Sequence, residues 1–120
     1  MEINKQITIQ VFDEVGGSAA ISVDDGNAIF TKIDHAITNK VNVVLSFQNI
    51  ELIITAFLNA AIGQLYSKYT SEELTANLQI TNVRPEDKRL FKMVIERAKE
   101  YFSNSESFDE SIKTEMEHND

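Results

Sequence analysis

Val41-Asn42-Val43-Val44-Leu45-Ser46-Phe47 decides the fold. Seven residues that are almost all apolar, three of them valine, form a run too short for a buried helix and too continuous for a half-exposed strand. The reading is a central strand covered on both faces, as in sheets sandwiched by crossover helices. Upstream, Ile7, Ile9 and Val11 alternate with Gln6, Thr8 and Gln10 across Lys5–Phe12, a period of two that predicts a half-buried strand. Asp13–Ser18 breaks it, with Gly16-Gly17 as a tight turn rather than a phosphate loop, because no Gly-Lys-Ser/Thr follows. A short strand follows around Ala19–Ile21.

Ser22-Val23-Asp24-Asp25 opens a helix. The serine hydroxyl is placed to cap a free amide, and the aspartates favour the positive helix end. Ile29, Phe30, Ile33, Ala36 and Ile37 carry the helical period to about Thr38. Asp24-Asp25-Gly26 lacks the alternating oxygen ligands of a calcium loop. Downstream of the central strand, Phe57, Leu58, Ala61, Ile62, Leu65, Tyr66 and Tyr69 predict a helix from Thr55 to about Tyr69. Glu72–Ala76 reads as a turn of helix and Leu78–Val83 as an alternating strand. Pro85 fits the first turn of a last helix, which the stripe of Leu90, Phe91, Val94, Ile95, Ala98 and Phe102 carries to about Phe102. The alternation of strands and helices predicts one α/β domain over residues 1–102, with a mainly parallel or mixed sheet of about four strands and about three helices.

The 120 residues carry 11 basic and 19 acidic side chains, a net charge of -8. Six acids and one lysine fall between Ser103 and Asp120, so the last eighteen residues hold -5 and the preceding 102 hold -3. Neither part offers the basic surface that nucleic acid requires. The polar, serine-containing segment 103–120 is expected to be a disordered tail, although Phe108, Ile112 and Met116 are spaced four apart and fit a helix formed on a partner. There is no cysteine, which removes disulfides, thiol catalysis and zinc-thiolate sites. His35 and His118 lie too far apart in the sequence to point to a metal site, and no metal or cofactor is expected. No apolar run approaches a membrane span, and Met-Glu-Ile-Asn-Lys is unlike a secretion signal, so the expected location is the cytoplasm.

Several stretches resemble one family. Val41–Phe47, the loop Asn49–Ile54 and the run Thr55–Tyr66 are similar to the core of STAS-like domains of unassigned function, relatives of the bacterial anti-sigma-factor antagonists. Ser22-Val23-Asp24-Asp25-Gly26 resembles the family's Ser-x-(Asp/Glu)-Gly helix start. Phe57, Asn59, Gly63 and Leu65 match its Phe-x-(Asn/Asp)-x-x-x-Gly-x-Leu stretch, and Asn82–Phe102 matches its last turn and helix. The resemblance spans about residues 5–102. It implies a non-catalytic protein–protein interaction module of bacterial regulation, whose partner is a histidine-kinase-type ATPase or anti-sigma-like regulator. In the antagonists, a hydroxyl at the start of the helix after the central strand is phosphorylated, and the modified form lets the partner go. This chain has Thr55-Ala56 where the relatives carry consecutive serines and lacks their Asp-Ser-Ser-Gly, leaving Thr55 as the one matching hydroxyl.

The residues themselves point to the same place. Open α/β sheets present functional surfaces at the carboxyl ends of their strands, and that end carries Gln48–Ile54. The expected partner-binding residues are Gln48, Asn49, Glu51, Leu52, Ile53, Ile54 and Thr55, with Thr55 as helix cap and candidate phosphorylation site. Three consecutive aliphatics cannot all face one side, so at least one is expected to be exposed within a polar rim, and Ile53→Asp is expected to abolish partner binding while leaving the fold intact. Two alternatives stand beside this reading. One is a small enzyme using Glu51, Asp13 or Glu14 as acid or base. The other is an acidic, antitoxin-like inhibitor acting through its tail.

Overall fold

The structure is a computed structural model that describes the backbone of residues 5–119 and side chains over residues 5–103. The expectation of a disordered acidic tail at 103–120 lies, but for Ser103, outside those described side chains.

Strand β3 (Val41–Ser46) is the middle of a three-stranded sheet, flanked by β1 (Lys5–Gln10) and β5 (Leu78–Thr81), and both pairings are parallel. Lys5 pairs with Val41 and Gln10 with Ser46 on one side; on the other, Val43 pairs with Leu78 and Ser46 with Thr81. Parallel neighbours need long crossovers. Helices α1 (Val11–Val15) and α2 (Val23–Thr38) lie between β1 and β3. Between β3 and β5 the chain passes through α3 (Thr55–Ala61), a 3-10 turn at Gly63–Ser67 and α4 (Ser71–Asn77). A 3-10 turn at Pro85–Asp87 leads into α5 (Lys88–Asn119).

Among the described residues the four expected strands are all present, but the main sheet holds three of them, because the short strand at Ala19–Ala20 pairs outside it. β2 (Ala19–Ala20) and β4 (Leu52–Ile53) form a separate parallel ribbon, with Ala19 opposite Leu52 and Ala20 opposite Ile53. β1 also stops earlier than its alternation implies. Val11 is wholly buried at the start of a single turn of helix, which closes where the Phe12 carbonyl accepts from the Gly16 and Gly17 amides and Gly16 turns left-handed at φ 79°. Gly16-Gly17 forms the expected tight turn, closing a helix that the sequence did not announce.

Ile9, Val43 and Leu45 point into the core beside Ile29 and Ile33 of α2, Phe57 and Leu58 of α3, and Phe91 and Val94 of α5. The opposite sheet face is not sealed: Gln6, Thr8 and Gln79 are exposed, and Asn42 and Val44 are half-buried. Coverage of β3 on both faces is therefore incorrect. Its β-branched run reflects strand preference as much as burial. Phe47, which follows β3, meets Phe91 edge to face at 4.8 Å, an arrangement that adds about 0.5–1.5 kcal/mol beyond area burial.

α2 begins as its sequence implies, with Ser22 Oγ accepting from the Asp25 amide at 3.2 Å. Its Gly26 is buried against α3: a β-carbon there would lie 2.7 Å from the Phe57 carbonyl oxygen and 2.8 Å from the Ala60 Cβ. The long helix expected over Thr55–Tyr69 is broken. Ile62 stretches to φ -117° while staying in the right-handed helical region, and the chain tightens into the 3-10 turn, which buries Leu65. α4 carries a full capping box: Thr70 Oγ1 accepts from the Glu73 amide at 3.0 Å, and Glu73 accepts from the Thr70 amide at 2.8 Å. Among the described residues no helix is long and apolar enough to cross a membrane.

Candidate interaction surface beside the carboxyl ends of the sheet

A tight turn follows β3. The Ile50 amide donates to the Phe47 carbonyl at 3.1 Å, and Asn49 takes the left-handed conformation at φ 69°, which asparagine tolerates better than most residues. The turn exposes Gln48 and Asn49 and drives Ile50 into the core. Beneath it sits Ser46, whose buried hydroxyl accepts from the Gln48 amide at 3.3 Å and from Asn82 Nδ2 at 3.0 Å. With the Phe47 amide donating to the Thr81 carbonyl at 2.9 Å, this fastens the ends of β3 and β5 together.

The chain then enters the β2–β4 ribbon. The Glu51 and Leu52 amides donate to the Ser18 carbonyl at 2.8 and 3.1 Å, and the Ile54 amide donates to the Ala20 carbonyl at 3.2 Å. Strand alternation sorts the three aliphatics. Ile53 points inward at 8% exposure, whereas Leu52 and Ile54 point outward at 53% and 37%. Two of the three aliphatics are therefore exposed, but the expectation that Ile53→Asp would leave the fold intact is wrong: Ile53 belongs to the core, and its two neighbours form the surface. The same register puts Ile21 on the outer side beside Ile54. Ile21 is 48% exposed, as is Val23 at the start of α2. Neither residue was singled out from sequence. The short strand at Ala19–Ile21 was the available signal, but its pairing with Leu52–Ile53 is a contact between distant segments.

Thr55 is half-buried as the first residue of α3. It is not the helix cap. Ile54 occupies that position in extended geometry, and no side chain caps the helix. Glu51 is exposed on the rim and lies near Arg84. The Arg84 guanidinium donates to Asp87 at 2.9 Å and approaches Glu86 at 3.8 Å; Asp87 is the main cause of its raised pKa, with Glu86 and Glu51 adding to it. Of the seven residues named for this surface, Gln48, Asn49, Glu51, Leu52 and Ile54 are exposed, Thr55 is half-buried, and Ile53 is buried.

The carboxylates named for acid–base work fall on different elements. Asp13 and Glu14 lie on α1, and Glu51 lies after the β3 turn. Glu14 pairs with Lys32 at 2.8 Å and edges a cleft of about 590 Å³ between β1 and α2, floored by Ile7, Ile9, Ala36 and Val41. His35 lines the same cleft from α2, and among the described residues no group of three acidic, histidine or cysteine side chains is placed to hold a metal ion.

A parallel α/β sheet with an apolar ribbon beside its carboxyl ends defines a small STAS-like domain. The family model described as "STAS-like domain of unknown function (DUF4325)" matches residues 25–88, more than half of the chain, and the chain belongs to that family. The match runs from the start of α2 through the β3 turn, β4 and β5 to the first residue of α5. No curated protein and no solved structure matches significantly.

Proposed function

We propose that this domain is a non-catalytic interaction module that docks a regulatory protein partner through the outer face of the β2–β4 ribbon. The carrying observation is the set of aliphatics Ile21, Leu52 and Ile54, which the ribbon's register brings together at the surface and which Gln48, Asn49 and Glu51 rim with polar groups. Exposed apolar side chains inside a polar rim are the usual make-up of a protein contact. The likeness to anti-sigma-factor antagonists supports a partner of the kinase-type ATPase class and a partner-switching role in bacterial regulation. Under this reading, phosphorylation of Thr55 would bring about two negative charges next to Ile54 and release the partner without unfolding the domain.

The test is capture from the native host with the parent protein and with Leu52→Asp. A protein retained by the parent and lost from the folded variant supports the ribbon as the docking surface. Undiminished capture by Leu52→Asp moves the surface elsewhere. Truncation after Phe102 separates this reading from the antitoxin-like alternative: capture persists if the ribbon binds and vanishes if the acidic tail does.

A further inference from the structure

The edge of the main sheet formed by β1 is a surface that the ribbon does not use. Among the described residues β1 pairs only with β3, so its other side presents a row of unpaired backbone N–H and C=O groups, a template for a further strand. Proteins blunt such edges with charged side chains, with proline or by keeping the strand short. The opposite edge is short: β5 has four residues and stops before Asn82, which turns left-handed at φ 62°. β1 has six residues, and after Lys5 it carries neither charge nor proline through Gln10. Lys5 to Thr8 are all exposed, Ile7 to 41%. Ile7 and Ile9 share the face on which α2 packs, and there the cleft between β1 and α2 leaves them, with Ala36 and Val41, as an apolar floor beside the open edge. The acid of that cleft, Glu14, is paired with its lysine, Lys32.

The sequence of this edge matches itself when reversed. Antiparallel pairing about a two-fold axis perpendicular to the sheet keeps each face on its own side, so the isoleucines of one strand meet those of the other. With the axis at Thr8, Thr8 stands opposite Thr8 of the partner subunit, Ile7 opposite Ile9 of the partner subunit and Gln6 opposite Gln10 of the partner subunit. No charge pairs within this ladder, because the residue opposite Lys5 is Val11 of the partner subunit, which has already left the strand for α1. We propose that β1 is a dimer edge, at which a second copy of this chain adds its own β1 antiparallel and joins two three-stranded sheets into one of six strands. Pairing β1 with β5 of another copy is heterologous and adds copies without limit, whereas β1 on β1 uses the same edge of both copies and closes. The backbone groups of the edge then find partners, and the cross-strand isoleucine pairs cover the apolar floor that each cleft leaves open.

Sedimentation of the full chain is expected to give a dimer, and cross-linking locates its axis. The chain has no cysteine, so one introduced thiol reports one position. Residues directly opposite in an antiparallel ladder have Cα atoms about 4.5–5.5 Å apart, within the span of about 4.4–6.8 Å that a disulfide bridges. Thr8→Cys should therefore form a disulfide-linked dimer under mild oxidation. Gln6→Cys alone should not, because its two copies lie about 13 Å apart along the strands, yet mixed with Gln10→Cys it should cross-link. Ile7→Lys combined with Thr8→Lys should give a folded monomer by circular dichroism and sedimentation, since like charges then face each other at the axis. Leu52→Asp, on the ribbon, should dimerise as the parent does, which separates this edge from the proposed docking surface. A monomeric parent overturns the proposal. So does a Thr8→Cys protein that cross-links no better than Gln6→Cys, a double lysine variant that stays dimeric, or a dimer that Leu52→Asp dissolves.

Discussion

Replacing Gly26 by alanine should destabilise the domain, although alanine is the better helix former. On an exposed helix the exchange would gain about 1 kcal/mol. Here the added methyl would sit 2.7 Å from the Phe57 carbonyl oxygen, 2.8 Å from the Ala60 Cβ and 3.2 Å from the Ala61 amide nitrogen, all on α3. Two of these neighbours are backbone atoms and the third is a Cβ fixed to its backbone, so relief requires α2 and α3 to move apart as bodies. Overpacking of this kind costs about 1–3 kcal/mol, and more when no flexible side chain can yield. The helix gain offsets part of it, leaving a net loss of about 1–2 kcal/mol. Gly63→Ala is the control. Its nearest neighbours, Asn59 Oδ1 at 3.5 Å and the Ala98 Cβ at 3.8 Å, leave ordinary room for a methyl, and its φ is not positive. Urea unfolding followed by circular dichroism reads both. With a denaturant slope of about 2 kcal/mol per M, the Gly26→Ala midpoint should fall by about 0.5–1 M while that of Gly63→Ala stays near the parent. A Gly26→Ala protein as stable as the parent, or a Gly63→Ala protein equally damaged, would refute the close-crossing argument.

Other outcomes follow from the same geometry. Leu52→Asp should leave the melting temperature within a few degrees of the parent, because its side chain is about half exposed, whereas Ile53→Asp buries an unpaired charge and should cost about 4 kcal/mol or more; equal melting of the two would contradict the ribbon's alternation. Phe57→Ala removes a wholly buried ring and should cost about 3–5 kcal/mol, so an unchanged unfolding midpoint would remove Phe57 from the core. Asp34 accepts from Lys68 Nζ at 2.8 Å and from the Tyr69 hydroxyl, and these bonds hold its carboxyl below the usual range. A depressed carboxyl stabilises the fold above the ordinary aspartate value of about 3.9 and loses that contribution as the pH falls through its lower folded value. The stability gap between parent and Asp34→Asn should accordingly shrink when urea titrations at neutral pH are repeated at about pH 2–3; a gap independent of pH would show that the bonds do not favour the charged form.

Local chemistry made much of this domain legible. The Ser22 cap needs only a hydroxyl three residues ahead of a free amide, and Pro85 and the Leu90–Phe102 stripe act within a turn or two of chain. For the same reason the alternation in β1 and the apolar run of β3 announced parallel strands joined by helices. The candidate surface was legible as a segment, Gln48–Thr55, but not as a set of facing side chains. Which of Leu52, Ile53 and Ile54 points outward depends on the register with Ala19–Ala20, about thirty residues away, and a shift of one residue would invert it. The break after Ala61 was hidden because Leu65 keeps a helical spacing even though its turn is 3-10. The apolar periodicity, the Ser22 cap and the charges were set by the sequence alone, since each acts through neighbours along the chain. Tertiary structure alone decided the close crossing at Gly26, the open face of the sheet and the outward pair Leu52 and Ile54, because each depends on what a distant segment brings within contact distance.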